Sequence, residues 1–105
     1  MAKVIGTDTY LKEIQKWPKA DKETAEKLPF QLKENPHSGK PLGYPFLREK
    51  RVKSKRVYYL LYEDLDLVLL VAASTKKDQQ STIGHIKNSL NEFRKIAEMV
   101  SKQVS

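Results

Sequence analysis

Short apolar segments alternate with polar stretches along the chain, and their spacing predicts a mixed order of strands and helices. Residues 2–6 form an apolar, strand-sized start, followed by threonine and aspartate residues that favour a helix N-terminus. Apolar residues at helical spacing then predict a first helix that ends near Trp17, because Pro18 disfavours the α conformation in the residue before it. A second helix, capped by Asp21, follows. Pro29 either kinks this helix or begins a new turn.

Three strands are predicted in the second half of the chain, over residues 47–53, 55–63 and 67–74. The turns between them are short, which is typical of an antiparallel meander. Residues 55–63 are apolar on both faces, so this strand is expected to be central in the sheet, with residues 67–74 nearly as buried. The preceding loop, residues 37–46, carries apolar side chains of its own and is expected to be ordered.

A long C-terminal helix, beginning near Asp78, carries a heptad stripe. Its apolar positions are Ile83, Ile86, Leu90, Phe93, Ala97, Val100 and Val104. The stripe indicates either a helix that lies along the sheet or a seam for another chain. The complete order, β-α-α-β-β-β-α, predicts an α+β sandwich. We expect a mixed, mainly antiparallel four-stranded sheet, with two N-terminal helices on one face and the long C-terminal helix.

Length and composition restrict the classes of function. The 105 residues make a single domain, 1–105, with one modest core. No segment approaches the ~20 apolar residues of a membrane span, and the N-terminus lacks a signal-peptide pattern. We therefore expect a cytoplasmic protein with no membrane partner. The absence of cysteine excludes disulfides, thiolate nucleophiles and iron–sulfur clusters, and with only two histidines we expect neither a metal nor a cofactor.

Most of the positive charge lies in one segment. The chain carries a formal net charge of +7, and residues 33–56, with eight basic and two acidic side chains, account for +6 of it. A basic stripe attracts polyanions, of which nucleic-acid phosphates are the commonest in a cell. The alternative is a solvated face that only keeps the protein soluble.

The basic residues of this segment fall on predicted strands. Arg48 and Lys50 share one face of their strand, because strand side chains alternate. Arg56 begins the next strand across a tight turn, and Lys76 and Lys77 leave the end of the third. These cations are expected to converge on one face of the sheet. Cations fixed there can stabilise a phosphorane-like dianion or simply bind phosphate.

Four motifs in order resemble those of the RelE/ParE toxin superfamily. They are the loop NPHSGKPL (35–42), the strands LREKR (47–51) and RVYY (56–59), and the turn KKDQ (76–79). The likeness spans roughly residues 3–90 and implies a small RelE-like sandwich. It also implies the toxin of a type II toxin–antitoxin system. RelE-like members enter the ribosomal A site and cleave messenger RNA, as the RNA's own 2′-hydroxyl attacks the adjacent phosphate.

The resemblance implies a role for each basic position. Arg56 matches the strand arginine that holds the scissile phosphate, and Arg48 and Lys50 match the basic pair of the preceding strand. The register decides which of Arg48, Lys50 and Arg51 faces inward. Lys77 (or Lys76) replaces an arginine of the family and supplies charge without the bidentate fork. The further residues expected to bind RNA are Lys40, Arg51, Lys53, Lys55 and Lys76.

The family's proton-transfer residues are not matched in this chain. Ile83 stands where RelE has a tyrosine, Leu42 stands where YoeB-like relatives have a glutamate, and their C-terminal histidine is missing. No general base is therefore assigned by the resemblance. The candidates in this sequence are His37, Glu49, Tyr44 and Tyr59.

An antitoxin is the partner that the resemblance implies. It would be an acidic protein whose amphipathic helix covers apolar surface and whose carboxylates meet the basic face. The RelE-like interpretation adds the ribosome and messenger RNA. The alternatives are a ParE-like inhibitor of DNA gyrase and a catalytically inactive relative that binds nucleic acid or antitoxin. The stripe also leaves open a homodimer through Ile83, Ile86, Leu90, Phe93, Ala97 and Val100.

Overall fold

A computed structural model describes residues 2–104, with the side chain of Val104 outside the description. The elements within these residues are β1 (Lys3–Gly6), α1 (Asp8–Gln15), α2 (Lys19–Glu34), β2 (Lys40–Pro41), β3 (Leu47–Val52), β4 (Lys55–Tyr62), β5 (Leu67–Thr75), α3 (Gln79–Asn88) and α4 (Leu90–Val104). A 3₁₀ turn connects β4 to β5. None of the helices in the described part of the chain is long and apolar enough to cross a membrane.

The strands form one sheet in the order β1-β5-β4-β3-β2. β1 runs parallel to β5, and the other neighbours are antiparallel. The predicted α+β class with a mixed, mainly antiparallel sheet is therefore confirmed. The predicted number of four strands is wrong, because Lys40–Pro41 adds a fifth strand at the edge. This two-residue strand has no hydrophobic period of its own and depends on its pairing with β3, so the sequence pattern could not indicate it.

A hydrophobic core lies on each face of the sheet. α1 and α2 cover one face, where they meet alternate residues of β4: Val57, Tyr59 and Leu61. α3 and α4 cover the other face and contact Tyr58 and Leu60. Because both faces are covered, the central strands are apolar throughout, as their sequence predicts.

The structure corrects one prediction for α2 and decides a second one that was left open. It begins at Lys19, with Pro18 at the N-cap, so the prediction that Asp21 caps the helix is wrong. The Asp21 side chain is buried and forms an ion pair with Lys55 at 3.5 Å. Pro29 lies inside one continuous helix and does not begin a new one. The ring of Pro29 removes one hydrogen bond and crowds the carbonyl of Ala25, and the helix nevertheless continues to Glu34.

The predicted single C-terminal helix is wrong, because the chain leaves helical geometry at Ser89 (φ −117°, ψ 17°) and forms two helices. Asn88 and Ser89 are weak helix formers whose side chains compete for backbone hydrogen bonds. The stripe still faces the sheet: Ile83, Ile86 and Ala97 are buried, with Leu90, Phe93 and Val100 packed beside them. Of the two interpretations, packing on the sheet is the one observed. A homodimer through these residues would require α3 and α4 to leave the sheet.

The loop before β3 is ordered by the hydroxyl group of Tyr59. This hydroxyl donates to the carbonyl oxygen of Pro36 at 2.6 Å and accepts from the backbone N–H of Gly39 at 3.0 Å. Tyr59 is fully buried. Its two hydrogen bonds therefore attach the loop to the central strand in a place without solvent.

Replacing Tyr59 by phenylalanine is expected to lower the free energy of unfolding by about 1–3 kcal/mol, because the buried N–H of Gly39 and the partly buried carbonyl of Pro36 lose their shared partner. Urea denaturation measures this change. The matched control is Tyr44→Phe, because Tyr44 is exposed and its hydroxyl makes no hydrogen bond within the described residues. The control should change stability by less than about 0.5 kcal/mol. Equal effects of the two substitutions would show that the Tyr59 hydroxyl does not hold the loop.

Candidate functional site

The register between strands determines which charged side chains meet. Arg51 of β3 lies directly opposite Arg56 of β4, and Glu49 lies opposite Tyr58. β2 places Lys40 opposite Glu49. Residues directly opposite each other in a sheet point to the same face. All five therefore point to the face that α3 and α4 cover.

Four of these side chains, together with Gln79 at the start of α3, line a cavity of about 450 Å³. We call it the cationic pocket, and its lining residues are Lys40, Glu49, Arg51, Arg56 and Gln79. Three of them are cationic and one is a carboxylate, so the lining carries a net positive charge. Lys40 and Arg51 are exposed at its rim, whereas Arg56 is only 6% exposed. The cationic pocket thus combines one cation fixed by burial with two at the surface.

Arg56 is held by the sheet but has few partners of its own. Its Nη1 donates to the carbonyl oxygen of Lys55 at 3.2 Å, and its Nε lies 4.0 Å from Oε1 of Glu49. A guanidinium has five N–H donors, and that single hydrogen bond uses one of them. A nearly buried guanidinium whose remaining donors are not sealed from solvent is well suited to an anion with several acceptor oxygens, such as phosphate.

Glu49 joins the strands to α3. Its Oε1 accepts a hydrogen bond from Nε2 of Gln79 at 2.6 Å, and its side chain is 10% exposed. Behind it, the hydroxyl groups of Tyr58 and Ser74 lie 2.8 Å apart. Ser74 donates its own proton to the carbonyl of Thr75, so Tyr58 is the donor to Ser74. Burial, opposed by the Ser74 hydrogen bond and assisted by the nearby Glu49 charge, raises the pKa of Tyr58, which keeps this hydroxyl protonated.

Arg48 and Lys50 lie on the opposite face from Arg56, so the expected convergence of these three residues on one face is wrong. Arg48 pairs with Tyr59 and Lys50 with Val57, whose side chains belong to the core under α1 and α2. The turn at residues 53–54 is the cause. A two-residue turn pairs position 52 with 55 and therefore 51 with 56, so Arg51 is the basic neighbour of Arg56. The length of this turn can be estimated from the sequence, and it could have determined the register between β3 and β4.

The Arg48 guanidinium is committed to backbone carbonyls. It donates to the oxygens of His37 and Gly39, both at 2.9 Å, and to that of Pro45 at 2.8 Å. Arg48 thus ties the loop to β3 from the face opposite the cationic pocket. Arg48 therefore has a structural role, which is to hold the loop.

The other lysines named from the sequence do not line the cationic pocket. Lys55 points to the opposite face, where it pairs with Asp21 and lies 5.8 Å from the centroid of the Trp17 ring. Lys53 occupies the turn between β3 and β4 with a positive φ of 56°. Lys76 and Lys77 are exposed in the turn just before Gln79. The structure therefore brings Lys40 and Arg51 together with Arg56. The assignment of RNA binding to any of these residues stays a prediction.

Of the four candidate bases named from the sequence, Glu49 alone lines the cationic pocket. His37 contacts Glu63 at 2.9 Å beside the 3₁₀ turn, and Tyr44 stacks on Phe46 with ring centroids 4.9 Å apart. Tyr59 uses its hydroxyl to hold the loop, and burial raises its pKa. Sequence reasoning did not nominate Gln79, although its position directly after the basic turn could have indicated a residue at the helix start.

The protein resembles several solved structures, although its sequence matches no known family. The sequence matches no protein-family model and no curated protein. Solved structures do match. The toxin RelE of E. coli, as a mutant in the free state, has a TM-score of 0.69 at 19% identity, covering 84% of this chain and 98% of that one. The toxin–antitoxin complex RelBE2 of Mycobacterium tuberculosis has a TM-score of 0.63 at 20% identity, covering 71% of this chain and 91% of that one.

The likeness extends to an archaeal protein. In the RelE–RelB complex of Pyrococcus horikoshii, the matching chain has a TM-score of 0.63 at 18% identity, and the match covers 71% of this chain and 94% of that one. At identities of this size a structural match shows the fold. The protein therefore has a RelE-like toxin fold, as the motif order in its sequence implies.

Proposed function

We propose that this protein is the toxin of a type II toxin–antitoxin system and that it cleaves messenger RNA on the ribosome. The observation that carries the proposal is Arg56, a nearly buried guanidinium with most of its donors available inside the cationic pocket. Glu49 lies 4.0 Å from Arg56 and accepts none of its hydrogen bonds within the described residues, so the remaining donors favour a ligand that brings further negative charge. The RelE-like fold supports the same interpretation.

The cationic pocket is suited to the charge changes of RNA self-cleavage. The RNA supplies its own nucleophile, the 2′-hydroxyl next to the scissile phosphate. As that oxygen attacks phosphorus, negative charge grows on the phosphate oxygens. Arg56 stabilises this charge from a fixed position, and Arg51 and Lys40 add positive potential from the rim. The protein contributes cations that are already in position when the substrate binds and that stabilise the negative charge as it develops.

The proposed partners follow from the same charge distribution. A cognate antitoxin with acidic residues would neutralise the basic segment, and several of the similar solved structures are RelE–RelB complexes. The ribosome and messenger RNA are the proposed targets. A homodimer through the stripe is not favoured, because its seam residues pack on the sheet within one chain.

Replacing the rim residue Arg51 by glutamine should weaken binding to a single-stranded RNA oligonucleotide about 5-fold and reduce the salt dependence of binding by about 0.7 in log–log slope, the value for one phosphate contact. Fluorescence anisotropy at several salt concentrations measures both quantities. The matched control is Lys27→Gln, an exposed cation on α2 at the other face of the sheet. Equal losses in the two variants would mean that RNA binds through overall charge and not through the cationic pocket.

Induced expression tests the function itself. Wild-type protein should arrest translation and leave messenger RNA cut within the codons that occupy the ribosomal A site. A second candidate function is favoured by the sparse set of proton-transfer groups, since only Glu49 can accept a proton among the described lining residues. That candidate is a ParE-like gyrase inhibitor or a binding protein without chemistry of its own. Inhibition of gyrase supercoiling with intact RNA would favour it and would exclude the nuclease.

A further inference from the structure

We infer that Glu49 is the general base of the proposed cleavage reaction and that Gln79 is the residue that positions its carboxylate. The inference rests on the proposed endoribonuclease function and adds a residue for the proton transfer that this function needs. It is carried by two contacts: Glu49 Oε1 lies 4.0 Å from Arg56 Nε and 2.6 Å from Gln79 Nε2.

The position of Glu49 matches the geometry of the substrate. In RNA the 2′-hydroxyl sits on the ribose carbon next to the carbon that carries the 3′-phosphate. A phosphate bound by Arg56 therefore brings its neighbouring 2′-hydroxyl close to the carboxylate beside Arg56. A general base must come within about 2.6–3.2 Å of the oxygen that it deprotonates. Glu49 projects from β3 into the same cationic pocket as Arg56, where a bound phosphate would lie.

The carboxylate has one oxygen anchored and one available. Oε1 accepts from Gln79, whereas Oε2 has no hydrogen-bond partner within the described residues. Gln79 is the first residue of α3, so the direction of its amide is set by the helix that packs on the sheet. This arrangement restrains the carboxylate and leaves Oε2 with free lone pairs for a proton.

The groups that face Glu49 come from three neighbouring elements as well as from its own strand. They are Lys40 of β2, Arg51 of β3, Arg56 and Tyr58 of β4, and Gln79 of α3. The three cations carry charge and no free acceptor, and Tyr58 is protonated and donates to Ser74. Glu49 is therefore the group at this site that can accept a proton from the substrate.

The reaction step balances as follows. Glu49 takes the proton of the 2′-hydroxyl as that oxygen forms a bond to phosphorus. The bond between phosphorus and the 5′-oxygen of the next nucleotide breaks, and this oxygen takes a proton from solvent. The products are a 2′,3′-cyclic phosphate and a free 5′-hydroxyl. Glu49 then returns its proton to solvent, so no net proton is gained or lost.

Single-turnover cleavage of messenger RNA on programmed ribosomes tests the inference. Glu49→Gln keeps the shape and the contact with Gln79 but removes the base, so cleavage should slow by about 10²-fold or more. Binding to the programmed ribosome should not weaken, because the variant removes a negative charge and keeps the three cations of the cationic pocket. Gln79→Ala should lower the cleavage rate by up to about 10²-fold without changing affinity, because a misplaced base loses alignment rather than binding.

The outcomes distinguish a failure of this inference from a failure of the proposed function. If the wild type cleaves and Glu49→Gln cleaves as fast or faster, Glu49 is not the base and the nuclease function stands. If the wild type does not cleave, the proposed function fails and the inference fails with it. If Glu49→Gln does not fold, Glu49→Asp decides, since it keeps the charge but withdraws the carboxylate by one methylene. A folded Glu49→Asp that cleaves at the wild-type rate would overturn the inference.

Discussion

Replacing Arg56 by alanine is expected to slow messenger RNA cleavage by about 10²–10³-fold, the effect of removing one preorganised donor from a charge-stabilising site. Arg56 is fixed by burial on the central part of the sheet, so neither an exposed lysine nor water can take its place at the same position. Induced expression of Arg56→Ala should therefore no longer arrest growth. Single-turnover cleavage on programmed ribosomes measures the effect directly.

The Arg56→Lys substitution tests whether cleavage needs only the positive charge or also the planar geometry of the guanidinium. Lysine keeps the positive charge but lacks the planar fork, so this variant should retain part of the lost activity. Urea denaturation of both variants shows whether the fold survives, because removal of a buried side chain also costs stability. Lys27→Ala, on α2, is the control for loss of a single positive charge. A folded Arg56→Ala protein with wild-type cleavage would show that the phosphate is held elsewhere.

Replacing Gly39 by alanine is expected to lower the free energy of unfolding by about 3 kcal/mol, through overpacking and the loss of loop hydrogen bonds. A Cβ at this position would lie 2.6 Å from the Tyr59 hydroxyl oxygen and 2.9 Å from the backbone oxygen of Glu49. Both neighbours belong to paired strands and cannot withdraw easily. The loop must shift instead, and Lys40, the next residue, moves with it. Cleavage activity should therefore fall together with stability.

Gly84→Ala is the matched control for this substitution. A Cβ on Gly84 meets no atom within 4 Å, and Gly84 lies inside α3. Alanine is the better helix former there, so Gly84→Ala should be neutral or stabilising by up to about 1 kcal/mol. Urea denaturation of the two variants compares them directly. Equal stability of Gly39→Ala and Gly84→Ala would contradict the close packing assigned to the loop.

The sequence predicted the sheet better than the helices. Residues 55–63 and 67–74 are largely apolar on both faces, a pattern typical of central strands in a sheet covered on both sides, and β4 and β5 follow it. The helix is interrupted at Ser89, although the apolar heptad pattern continues through this part of the sequence. Periodicity reports which side of a helix is apolar and not whether the helix bends, so this break could not be read from spacing.

Of the residues that line the cationic pocket, Gln79 was not named from the sequence, whereas Lys40, Glu49, Arg51 and Arg56 were. The roles assigned to them stay predictions. Arg48 and Lys50 were placed on the wrong face because strand register was left open. Gln79 joins the site through tertiary packing of α3 on the sheet. No local pattern encodes a contact between residues thirty positions apart, so its role required the structure.

Mapping the 5′ ends of a messenger RNA in a translating extract, with and without added protein, tests the central claim most directly. New 5′ ends should appear within the codon that occupies the ribosomal A site. They should carry a free 5′-hydroxyl and should be absent when ribosomes are omitted or when Arg56→Ala replaces the wild type. Full-length messenger RNA in the presence of active, folded wild-type protein would contradict the proposed nuclease.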